Sequence, residues 1–237
     1  MAKRVPEGPA PDPAVQKLRV QYAKRGRLRF TSTRDFQRAL ERALRRAQVP
    51  MAYSAGFHPH PKISYANAAA TGTASEAEYF EIHLREQREP AEVKRLLDEA
   101  LPPGLDVVAV VEAQPGALAD RLEASQWSLR FAPADQPKLG AALAAFVQES
   151  EVEVTRMMKK GPRTFDVRSA VLDSELVEAD DGAPELRLVL RHTVPAVRPD
   201  DLLSGLALVD GFEPTRPPLI TRLAQGPLVE GNVADPL

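Results

Sequence analysis

Between residues 17 and 111 the spacing of apolar residues changes period several times, and the order of those periods restricts the fold more than any other feature. Over 17–30, Leu18, Val20, Tyr22, Leu28 and Phe30 alternate with polar positions that include Arg19, Arg27 and Arg29. That pattern predicts a half-buried strand, interrupted by a turn or bulge at Gly26. Ser32-Thr33-Arg34-Asp35 then has the Ser-x-x-acid form of a helix start. Phe36, Ala39, Leu40, Ala43, Leu44 and Ala47 follow at helical spacing as one apolar face, with Pro50 as the expected stop. A short strand is expected at 63–66 and a second, alternating one at 79–84, where Phe80, Ile82 and Leu84 share a face. Pro90 opens a helix carrying Val93, Leu96, Leu97, Ala100 and Leu101, and Pro102-Pro103-Gly104 ends it. Residues 105–111 read as a strand buried on both faces.

The resulting order, β-α-β-β-α-β, is that of the ferredoxin-like split motif. Residues 112–124, with Gln114-Pro115-Gly116, mark a boundary, and beyond it the pattern partly repeats. Trp127, Leu129 and Phe131 alternate as a strand, and Leu139, Ala142, Leu143, Phe146 and Val147 mark a helix. Further strands are expected from Val152 and Val154, from Phe165, Val167 and Val171, and from Leu186, Leu188 and Leu190, with a short helix at 200–208. The expected fold is therefore α+β, two ferredoxin-like halves in tandem at 17–112 and 125–225. A disordered lead (1–16) and a tail (226–237) would flank them.

Charge is distributed unevenly. The whole chain carries a formal net charge of −2, yet residues 17–65 hold twelve Lys and Arg against two acids, Asp35 and Glu41, a local net charge of +10. Arg34, Arg38, Arg42, Arg45 and Arg46 fall on the helix side away from its apolar face. Such a ridge suits a phosphate backbone, because each neutralised phosphate releases counterions and guanidinium meets phosphate bidentately. Equally, it suits a solvated face, or one neutralised by the twelve acids of residues 76–123. A smaller cluster comprises Arg156, Lys159, Lys160, Arg163 and Arg168.

Residues 53–65, YSAGFHPHPKISY, concentrate two His, two Pro, a Lys and three aromatic rings. Proline after each His biases the backbone away from helix, so a rigid extended loop is expected. Three roles fit it. Tyr53, Phe57 and Tyr65 would stack unpaired bases while Lys62 meets phosphate; His58 or His60 would act as general base with Lys62 stabilising charge; or the prolines would serve architecture alone.

Other chemistry is excluded or unsupported. The chain has no Cys, hence no disulfide, thiol nucleophile or Cys-held iron–sulfur cluster. His58 and His60 lie two apart with no carboxylate beside them, and Glu76, Glu78 and His83 would have to come from the next strand, so no metal is expected. Glycine-rich phosphate loops and the Gly-x-Ser-x-Gly elbow are absent, and no cofactor is expected. His192 reads as an ordinary surface or edge histidine. The first sixteen residues lack the apolar core of a signal peptide, and no stretch is long and apolar enough to cross a bilayer, so a cytoplasmic location is expected.

The runs LRFTSTRDFQRALERALRRAQVPMAYSAGFHPHPKISYA, TGTASEAEYFEI and RMMKKGPRTFDVR resemble the bacterial radical SAM-linked protein family. This is a domain of unknown function, fused to a radical SAM protein or encoded beside one. The resemblance spans about residues 17–222. It implies work near RNA maturation or translation, since genes of the family tend to lie near those for ribonuclease E/G and ribosomal proteins. This chain has Ser32-Thr33-Arg34-Asp35 where the family often has Ser-His-Leu-Asp, and Ala70-Thr71-Gly72 where it often has Pro-Leu-Gly. Without cysteine it would be the companion of a separately encoded radical SAM enzyme. The expected function is thus an RNA-binding accessory protein for tRNA or rRNA modification. Two alternatives stand beside it: a metal-independent endoribonuclease, and a protein adaptor without RNA contact.

Overall fold

The structure, a computed structural model, describes residues 12–237. Most of the expected N-terminal lead, residues 1–11, lies outside the described residues. The fold is mixed α+β, and the chain divides into two compact units between Ala119 and Asp120.

The first unit contains β1 (Gln16–Lys24), α1 (Thr33–Arg46), β2 (Ile63–Ala66), β3 (Ala74–Leu84), α2 (Pro90–Ala100) and β4 (Leu105–Glu112). Its strands follow the order β4-β1-β3-β2, every neighbouring pair antiparallel. The helices lie on the apolar face. Phe36, Leu40, Ala43 and Leu44 of α1 and Val93 and Leu97 of α2 are buried with Leu18, Val20, Phe80 and Ile82. Each of the Val, Leu, Ile and Phe side chains among them contributes about 1.5–3 kcal/mol by leaving water. Tyr22 and Phe36 stack with ring centroids 4.2 Å apart.

Three local expectations change. The strand read over 17–30 ends at Lys24, and Gly26–Phe30 is a 3-10 turn. Pairing with β3 slips between Tyr22 and Lys24, and Gly26 takes φ 53°, which turns the chain out of the sheet. Arg27 and Arg29 therefore do not share a strand face with Arg19. Pro50 is not what stops α1, which ends four residues earlier; the chain bends away through Gln48 at φ 52°. β4 is the last strand of its sheet, paired with β1, so it alternates instead of burying both faces, and Val108 is exposed.

The second unit contains β5 (Ala124–Arg130), α3 (Gln136–Gln148), β6 (Glu153–Met158), β7 (Gly161–Asp166), β8 (Val171–Glu178), β9 (Pro184–Arg191), α4 (Pro199–Asp210) and β10 (Leu219–Gly226). Its strand order is β10-β5-β9-β8, again antiparallel throughout. The connectivity is that of the first unit with one addition, the β6–β7 hairpin between α3 and β8. Phe165, Val167 and Val171 do not share a strand. The Asp166 carboxylate accepts from the backbone N–H groups of Val152, Arg168 and Ser169 and fixes a turn between β7 and β8. Burial would raise this carboxyl's pKa, but those hydrogen bonds outweigh it and hold it below the usual carboxylate range. β10 has no clear period in the sequence because its polar Arg222 and Gln225 are buried while its apolar Leu219 and Leu223 are exposed. Within the expected tail, β11 (Leu228–Val229) and β12 (Asn232–Val233) pair as a short antiparallel ribbon.

Candidate nucleic-acid interface

The basic segment separates into side chains consumed by the fold and side chains left outside it. Arg19 on β1 is fully buried. Its Nε donates to Glu81 Oε1 at 3.1 Å, and its Nη2 donates to the carbonyls of Gln114 and Gly116 at 2.9 and 3.0 Å. Lys17 reaches the same carboxylate at 2.7 Å. Lys24, also buried, donates to the carbonyls of Ala69 and Ala70. Arg25 binds Glu76, and reaches Asp106 at 2.8 Å. These four cations are structural.

Helix α1 holds its arginines differently. Ser32 Oγ accepts from the Asp35 N–H at 3.2 Å, closing the first turn. With the apolar face turned inward, Arg34, Arg38, Arg42, Arg45 and Arg46 are all exposed. Among the described residues Arg34, Arg42 and Arg45 have no ion-pair partner. Arg38 meets Asp35 at 4.0 Å, a contact of little strength in water, and Arg46 donates to the Ala100 carbonyl. None of the acids of 76–123 pairs with α1; those engaged in ion pairs bind Lys17, Arg19, Arg25, Arg85, Arg88 and Arg95. Internal neutralisation of the ridge is therefore not what the structure shows. Arg34, Arg38 and Arg42 rise about 6 Å apart along the axis.

The loop expected over 53–65 is a narrow protrusion with a hydrogen-bonded base. Ala52 N–H donates to the His83 carbonyl, Lys62 N–H to the Ala52 carbonyl and His83 N–H to the Lys62 carbonyl. Ser54 N–H donates to the His60 carbonyl, and the His60 N–H to Ser54 Oγ. Beyond that rung Phe57, His58 and His60 are exposed, as are Tyr53 and Lys62. Among the described residues neither His58 nor His60 has a side-chain partner to orient its ring. Tyr65 departs from the expectation. Its ring is partly buried and packs against Phe36 and Phe80 of the first unit's core, instead of standing out with the loop's other aromatics. Burial, with Glu41 nearby, pushes its hydroxyl pKa up to about 12.

In the second unit Lys159 and Lys160 form the turn of the β6–β7 hairpin, followed by Gly161 at φ 110°. Both lysines and Arg163 are exposed, and Met157 beside them is 74% exposed. Arg156 is held by Asp201 and lies over the Phe165 ring, while Arg168 donates to the carbonyls of Val147 and Val171. The cluster thus reduces to a basic hairpin tip.

A family model described as an uncharacterised protein conserved in bacteria (DUF2344) matches residues 17–199. The chain belongs to that family. The matched stretch contains the α1 ridge, the protruding loop and the hairpin tip, and stops at the first residue of α4. Among curated proteins, none matches the chain. Among the described residues no helix is long and apolar enough to cross a membrane.

One partly buried, hydrogen-bonded side chain in this DUF2344 chain is not foreshadowed by the sequence. His192, expected at the surface, bridges Leu122 and Ser125: Nδ1 lies 2.6 Å from the Leu122 carbonyl and Nε2 2.6 Å from Ser125 Oγ. Burial pushes its pKa down. Its neighbours in sequence gave no sign of this, because both partners lie nearly seventy residues away.

Proposed function

We propose that this member of the family is a cytoplasmic RNA-binding accessory protein, built as two ferredoxin-like halves in tandem. The strand order shared by the two units, with a hairpin inserted in the second, supports the tandem description. The observation that carries the binding function is the α1 ridge: five exposed arginines that, among the described residues, pair with acids weakly or not at all. Guanidinium groups about one helical turn apart offer successive charge-assisted contacts to phosphates. Tyr53, Phe57, His58, His60 and Lys62 add an aromatic and cationic finger for unpaired nucleotides, and Lys159, Lys160 and Arg163 add a second contact. The partner enzyme in this proposal is a separately encoded radical SAM protein acting on tRNA or rRNA, a role that rests on the sequence resemblance.

Filter binding of labelled tRNA and rRNA fragments by wild type and by Arg38→Glu/Arg42→Glu tests the proposal. The double variant is expected to lose most of the affinity. Undiminished binding by it removes the ridge from the account, and absence of binding by the wild type removes the function.

A further inference from the structure

The turn between β1 and α1 presents an aromatic ring that the fold does not use. Phe30 is 58% exposed and belongs to neither core cluster. It is nevertheless held in place. The Arg29 guanidinium lies over the ring, 4.5 Å from its centroid, and Arg29 Nη1 also donates to the Gly26 carbonyl at 3.2 Å. From another side the Gly72 N–H donates to the Arg29 carbonyl at 2.8 Å. Gly72 adopts φ +93°, a backbone conformation that glycine takes without strain, and a Cβ there would stand at ordinary contact distance, 3.8 Å, from the ring, so this turn runs beside Phe30. Thr31 and Ser32 connect the ring directly to α1, which places it at the head of the arginine ridge. Arg27 and Arg34 are exposed on either side in sequence, and among the described residues neither has an acidic partner. Asp35, the nearest acid in sequence, is engaged with Ser32.

An apolar protein surface would cover Phe30 only by desolvating the guanidiniums around it, and a bare polyanion would have no use for the ring. An unpaired base on a phosphate chain satisfies both, since every base has a face that stacks on an aromatic ring and carries its own anion. We infer that Phe30, backed by Arg29, is a stacking platform for an unpaired base of single-stranded RNA whose flanking phosphates meet Arg27 and Arg34. This rests on the RNA-binding function proposed above and names the kind of RNA that enters the ridge at this end.

The test compares a labelled single-stranded 12-mer with a duplex of the same length. Phe30→Ala is expected to weaken the single strand about tenfold, the worth of one stacked base. Duplex affinity should stay within about twofold, and the salt dependence unchanged, because no phosphate contact is lost. Phe30→Trp should restore single-strand affinity, and its added fluorescence should be quenched by the single strand but not by the duplex. If wild type binds RNA and Phe30→Ala binds the single strand equally well, or weakens both probes alike, the platform is refuted while the ridge stands. If wild type binds neither probe, the RNA-binding function itself fails.

Discussion

Strand β1 and helix α1 are neighbours in sequence, and both are rich in basic residues, yet they spend their charges in opposite ways. On β1 and just after it, Lys17, Arg19, Lys24 and Arg25 each meet carboxylates or backbone carbonyls. On α1 the guanidiniums are exposed; among the described residues only Arg38 lies within ion-pair distance of an acid, and Arg46 donates to the Ala100 carbonyl. The difference follows from geometry. A central strand buries both faces once something covers its second side, here the segment whose Gln114 and Gly116 carbonyls cap Arg19, so any cation on it must be paired. A surface helix has one face in water throughout, and its cations need no partner. A basic count of +10 therefore overstates the available charge by the four residues that the fold consumes.

That contrast can be broken in several ways, the largest effect first. Arg19→Met should destabilise the protein by about 3–5 kcal/mol in urea denaturation, because it leaves Glu81 buried with Lys17 alone. RNA affinity per folded molecule should not change. A loss under about 1 kcal/mol would mean that the β1 cations are not structural. Arg38→Glu/Arg42→Glu should do the reverse. Stability should stay within about 0.5 kcal/mol, as for ordinary surface positions, while the log–log salt slope of RNA binding should become shallower by about 1.4, at roughly 0.7 per lost single-strand contact. Ser32→Ala removes the cap that anchors the ridge and should cost about 1 kcal/mol, read as a shift in the urea midpoint. The smallest effect concerns pH. Partial burial lowers the pKa of His192 in the folded protein below that of the unfolded chain. Stability should fall as pH drops through the ordinary imidazole value of about 6.5 and level off below the folded value. His192→Gln should flatten that dependence in denaturation curves at pH 7.5 and 5.5.

Much of this architecture is legible in the sequence where one periodicity runs uninterrupted. Phe36, Leu40, Ala43 and Leu44 announce α1, and Ile63 to Ala66 coincide with β2. The outward side of α1 follows from the same period, which is why all five ridge arginines are exposed as their spacing implies. Legibility fails where tertiary contacts override local pattern. Leu28 and Phe30 keep the alternation of a strand, but the chain has already turned at Gly26, and Phe30 becomes an exposed ring rather than a buried one. Tyr65 looks like a loop aromatic because it follows the prolines, yet its place on β2 directs it against Phe36. Arg19 and Arg222 are the hardest to foresee, since a buried arginine is tolerated only through partners supplied by distant segments, Glu81 and the 114–116 carbonyls in the case of Arg19.

The most direct measurement is fluorescence anisotropy of labelled tRNA and rRNA fragments, titrated with the wild-type protein across a series of salt concentrations. Three to five phosphate contacts along α1 predict binding that weakens steeply with salt, with a log–log slope of about −2 to −3.5. Binding with a flat salt dependence, or none at low salt, would contradict the claim that the α1 arginines are kept free for a phosphate chain.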